Sequence, residues 1–151
     1  MTSHGLPTSL SQLEKLLDTY FRQKAPKLPE DIQNIIVAFG PWLILIFILV
    51  SIPGILTAFG LGSLMGPVGF SVGANIGLMY TISWVFLAIT LVLEALALPG
   101  LFNRQIKGWN FLFYASLVSL VQNIVLLNIL GLIIGSGISF YILFQIRHHY
   151  K

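Results

Sequence analysis

The chain has 151 residues, 56% of them hydrophobic and only 9% charged, where a soluble domain carries about 25% charged residues. A mean hydropathy of +0.90 spread over several long apolar runs excludes a fully wetted globular surface and makes lipid the solvent for most of the chain. The net charge is +3, but the eight basic residues form no aromatic-interleaved patch, so nucleic acid is not an expected partner; the absence of cysteine excludes disulfides and thiolate chemistry.

The composition predicts an all-α fold: an integral membrane four-helix bundle with an N-terminal amphipathic helix on the cytoplasmic side. Each crossing takes about 20 residues, so the length suits one compact unit. The first thirty residues show no charged start, short apolar core and small-residue cleavage site, so the first membrane helix is expected to direct insertion.

Residues 1–40 read as a cytoplasmic or interfacial tail. Over 8–24, Leu10, Leu13, Leu16, Leu17, Tyr20 and Phe21 recur at the spacing that lines one helix face, with Ser11, Lys15, Asp18 and Arg22 opposite. Ser9 and Gln12 form a capping-box pattern, and Asp18 with Arg22 a favourable i,i+4 pair. The face of Leu10, Leu13, Leu17, Tyr20 and Phe21 is expected to rest in the headgroup layer or on its own bundle; recognition of a partner is the competing reading. Ala25-Pro26-Lys27-Leu28-Pro29 ends that helix. A second one is expected from Pro29, with Glu30 and Asp31 at the positive end of its dipole and Ile32, Ile35, Ile36 and Phe39 as an interfacial stripe, up to a hinge at Gly40-Pro41.

The membrane domain, 41–147, is expected to cross at about 41–60, 76–98, 109–126 and 130–147, leaving 148–151 as a short tail. The first crossing contains Leu43-Ile44-Leu45-Ile46-Phe47-Ile48-Leu49-Val50, without a side-chain polar atom. Residues 60–75 are rich in glycine yet uncharged, which fits an apolar cap or a re-entrant segment. The second crossing is expected to stop at Pro99-Gly100. Residues 109–146 as one helix would reach about 57 Å, nearly twice the hydrocarbon thickness of about 30 Å, so a break is expected around 126–130, using Asn128 and Gly131. Ala115, Ser119 and Asn123 on one arm of that hairpin, and Gly131, Gly135 and Ser139 on the other, recur every four residues, as in close-packing helix faces. Gly69, Gly73 and Gly77 repeat that spacing.

With four crossings, Lys15, Arg22, Lys24, Lys27, Arg104, Lys107, Arg147 and Lys151 all fall on one side, which predicts both termini in the cytoplasm, at the inner or plasma membrane if the chain is bacterial. Glu94 is the one ionisable side chain inside an expected crossing and a candidate ion or proton site; pairing with Arg104 or Lys107 is the structural alternative. Gln122, Asn123 and Asn128 read as hydrogen-bonding and turn residues. Trp42 and Trp109 read as interfacial belt residues and Trp84 as packing. His148 and His149 lack metal-ligand spacing. No nucleophile elbow, phosphate-cradling loop or HExxH is present, and no two polar groups are seen to converge at one depth, so neither an enzyme nor a cofactor is expected. The leading expectation is a non-catalytic accessory, assembly or scaffold subunit that binds lipid and either other membrane subunits or copies of itself. The alternative is an oligomeric small transporter or channel protomer using Glu94.

Overall fold

A computed structural model of the chain describes residues 9–151, apart from the side chains at 58, 59, 61–67, 69, 70, 72 and 74. Every regular element among the described residues is helical: α1 (Leu10–Asp18) running into a π segment (Thr19–Lys24), α2 (Glu30–Val72), α3 (Ala74–Phe102), α4 (Ile106–Val125), a π segment (Gly131–Ser136) leading into α5 (Gly137–Ile146), and a closing 3₁₀ turn (Arg147–His149). Two stretches, Glu30–Thr57 and Asn75–Phe102, are long and apolar enough to span a membrane.

The long helices differ from the sequence expectation at both ends. Helix α2 runs through Gly40-Pro41 and Pro53 without a break. A proline inside a helix forfeits a single backbone bond, which a helix already held on either side absorbs. The expected cap or re-entrant loop at 60–75 is instead helix to Val72, and the connection shrinks to Gly73, whose carbonyl accepts from Ile76 and Gly77. The glycine content there suggests loop chemistry, but in an apolar environment the backbone satisfies itself most cheaply as helix. The apolar stripe at the start of α2 divides: Ile32, Ile35 and Phe39 are exposed, Ile36 packs on the core, and Gln33, Val37 and Pro41 form the buried face at four-residue spacing.

Helices α2 and α3 return on each other, so Trp42 near the start of one meets Phe102 at the end of the other, rings edge-on at 5.2 Å. Pro99-Gly100 does not stop α3. The stop comes at Arg104, which takes a left-handed conformation with φ 54°, while the Gln105 N–H bonds back to the Gly100 carbonyl at 2.7 Å. Gly100 serves the next contact instead: a Cβ there would lie 2.6 Å from the Gly108 Cα, and one on Gly108 would lie 2.9 Å from the Ala97 carbonyl oxygen. The backbones of α3 and α4 touch at these two glycines.

The expected break at 126–130 falls at 126–128. Leu127 is left-handed at φ 53°, and the Asn128 N–H bonds to the Asn123 carbonyl at 2.8 Å, the same capping geometry as at Arg104. The Asn128 side chain then accepts from the Gly131 N–H at 3.0 Å and donates to Asn123 at 3.2 Å.

The core lies towards the end where α3 meets α4. Trp109, Phe113, Phe140 and Phe144 interlock there with Ala97, Leu101 and Val37. Trp109 is fully buried, donating to the Leu143 carbonyl at 2.8 Å under the Arg147 guanidinium, and so is not a belt residue. Trp42 is exposed, and Trp84 packs edge-on to Tyr80. The N-terminal arm closes the same end: Phe21 packs on Phe140, Gln145 donates to the Phe21 carbonyl at 2.8 Å and accepts from the Leu28 N–H at 3.3 Å, and Arg147 reaches Glu14 and Asp18. The last residue is pinned there too, with the Lys151 N–H on the Arg104 carbonyl at 3.0 Å and the Ile106 N–H on the Lys151 carbonyl at 2.8 Å.

Candidate functional site

The interior seam of the bundle changes character along its length. On α3 the inward face reads Leu101, Ala97, Glu94, Thr90 at helical spacing, so the first two residues complete the apolar core and the next two carry oxygen beyond it. At the level of Glu94 the seam opens into a recess of about 240 Å³ lined by Glu94 from α3, by Leu112, Ala115, Ser116, Ser119 and Asn123 from α4, and by Gly135, Ser136 and Ser139 from the last helix. Glu94 lies eight residues before Phe102, about 12 Å along the axis.

Two side-chain oxygens on this face of α3 are buried without a hydrogen-bond partner, Glu94 Oε2 and Thr90 Oγ1. Glu94 makes no ion pair with Arg104 or Lys107; the ion pairs among the described residues join Arg22 to Asp18 and Arg147 to Glu14 and Asp18. The two small-residue rows read from the sequence face this recess. Ala115, Ser119, Asn123, Gly135 and Ser139 all line it, while Gly131 sits at its outer end, where an added Cβ would collide with Asn123 and Asn128. Gly135 has open space where a Cβ would be, and Gly135 and Ser139 are exposed, so the recess opens sideways between α3 and the last helix. Of the Gly69, Gly73 and Gly77 repeat, the surroundings of Gly69 lie outside the described residues; Gly73 forms the α2–α3 turn and Gly77 is buried.

Thr90, Ser116 and Ser136 escape the sequence reading, which gives Glu94 as the ion-site candidate and Ser119, Asn123, Gly135 and Ser139 only as helix-packing positions. The i,i+4 spacing of Thr90 and Glu94 is visible in the sequence; that the serines of α4 and the last helix meet them is not. The π segment contributes here, because one extra residue per turn widens the helix just where Gly135 and Ser136 border the recess.

At the opposite end of the seam, Leu17 and Phe21 of the arm pack on the core and Leu13 is half-buried, whereas Leu10, Leu16 and Tyr20 are exposed. The rings of His148 and His149 lie with centres 4.1 Å apart and planes tilted by 37°. Burial first, then His148 and Arg104, hold His149 below its ordinary value, with Glu30 opposing; burial pushes the Tyr150 phenol up. Among the described residues no three His, Asp or Glu side chains converge as a metal would require.

These features define, over the described residues, an all-helical fold with two membrane-length apolar helices and a polar recess in the bundle interior. No known protein family, curated protein or solved structure matches it.

Proposed function

We propose that this is a multi-pass membrane protein with four crossings and both termini in the cytoplasm, at the inner or plasma membrane if the chain is bacterial, serving as a non-catalytic accessory, assembly or scaffold subunit. The observation that carries the reading is charge placement. The arm with Lys15, Arg22, Lys24 and Lys27, the turn with Arg104 and Lys107, and the end with Arg147 and Lys151 gather at one end of the bundle, joined by the Arg147–Glu14 and Lys151–Arg104 contacts. The turns at Gly73 and 126–128 carry no basic residue. Basic segments resist translocation, so that arrangement orients the protein. Leu43, Ile46, Phe47, Leu49 and Val50 on α2 are exposed and offer lipid, or the helices of a partner, a face without polar side chains.

Reporter domains fused after Lys151 and inserted at Asn103 test the reading: both are expected in the cytoplasm, and opposite compartments would overturn it. A transporter or channel protomer is the second reading, favoured by one specific observation, the Glu94 recess. Extraction from its own membrane in mild detergent separates the two. Co-purification with unrelated subunits supports the accessory role, whereas a pure symmetric oligomer that conducts ions in liposomes supports transport.

A further inference from the structure

Serine and threonine hydroxyls inside a membrane ordinarily satisfy themselves on their own helix, and the described ones of this chain divide sharply in that respect. Ser51, Thr57, Ser71, Thr81 and Ser83 each donate to a carbonyl three or four residues back, at 2.7 to 2.9 Å. Thr90, Ser116, Ser119 and Ser139 make no such bond, and Ser136 only accepts a long one, 3.5 Å, from Asn123. Except for Thr90, one turn from Glu94, every member of this second group lines the recess. Among the described serines and threonines of the long helices, the hydroxyls left free are those grouped around a carboxylate that has no partner of its own.

Glu94 is half-buried with one carboxylate oxygen, Oε2, enclosed and unpartnered, and a carboxylate so placed is neutralised either by a proton or by a cation held beside it. We propose that the recess beside Glu94 binds one small monovalent cation, with the Glu94 carboxylate as counter-charge and the hydroxyls of Ser116, Ser119 and Ser139 replacing part of its water shell. One carboxylate among neutral oxygens favours a single positive charge: a divalent ion would leave the site with a net charge in an apolar surrounding, and hard divalent cations recruit several carboxylates. The recess of about 240 Å³ exceeds a bare ion and accommodates it with several retained waters, each taking about 30 Å³. The inference rests on the membrane-embedded reading but holds whether the protein is an accessory subunit or a transport protomer, since it concerns binding alone.

A hydrophobic carbodiimide, which modifies protonated buried carboxyls, reads the site directly by intact mass. The detergent-purified full chain is treated at fixed pH and ionic strength in choline, sodium or potassium chloride. We expect modification in choline, its loss in Glu94→Gln, and slowing by sodium or potassium of at least about tenfold. Ser119→Ala with Ser139→Ala, which keeps the carboxylate, raises the cation concentration for half-protection several-fold. Equal rates in the three salts would leave a proton site only and overturn the proposal, as would no modification of Glu94 in choline. Alkaline carbonate washing of native membranes tests the underlying reading separately: release of the chain would refute membrane embedding, whatever the carbodiimide reports.

Discussion

His149 carries the clearest pH sensitivity outside the helices that would lie in the bilayer. Its imidazole Nε2 is buried without a partner, and its affinity for protons is held below the ordinary value of 6.5 by burial, His148 and Arg104. The unfolded chain therefore binds a proton at His149 more readily than the folded one. The associated stability is present above pH 6.5 and is lost as pH falls towards and through the lowered folded value. Acidification is expected to loosen the tail, and with it the Lys151–Arg104 and Lys151–Ile106 bonds. Hydrogen exchange at the Ile106 and Lys151 amides should accelerate from pH 7 to pH 5.5 beyond what the intrinsic rate accounts for, and His149→Gln should flatten that excess. Leu127 and Arg104 show what residue-level reading misses: both occupy left-handed positions that glycine or asparagine would normally hold, and no side-chain pattern marks them.

At the level of elements, the α3–α4 pair depends on Gly100 and Gly108 as a matched set. A methyl group on either meets backbone rather than a movable side chain, so the helices must separate. Gly108→Ala is expected to cost about 3 kcal/mol or more and to lower the thermal midpoint of the detergent-solubilised protein. Gly135→Ala, with open space at the same atom, should leave the midpoint unchanged within error. The two glycines look alike in the sequence, and Gly135 even belongs to the more regular row. The tight packing at Gly108 arises because the turn at Arg104 folds α4 back onto the face of α3 that carries Ala97 and Leu101, and spacing within either helix does not record that encounter.

Across the whole molecule, the arm and the C-terminal end form one closure. Gln145, only 3% exposed, bonds to Phe21 and Leu28, whereas the Arg147 side chain is about a third exposed, at 31%. Buried hydrogen bonds contribute about 1 kcal/mol each and leave a costly orphan when one partner is removed, while exposed ion pairs contribute about 1 kcal/mol or less. Gln145→Ala is therefore expected to release the arm more than Arg147→Ala does, with trypsin cleavage at Arg22 and Lys24 accelerating at least about tenfold in the first variant and only a few-fold in the second. The amino-acid order by itself determined the helical class, the long apolar runs, the arm with its Pro26–Pro29 break, and the turn near Asn128, because each follows from local hydrophobicity, spacing and backbone chemistry. It also singled out Glu94. Only the tertiary structure decided that α2 continues through its prolines and glycines, that Trp109 is core, that Gln145 clamps the arm, and that serines from two other helices gather beside Glu94. These depend on which faces of distant segments meet, and periodicity along one helix carries no record of its neighbour.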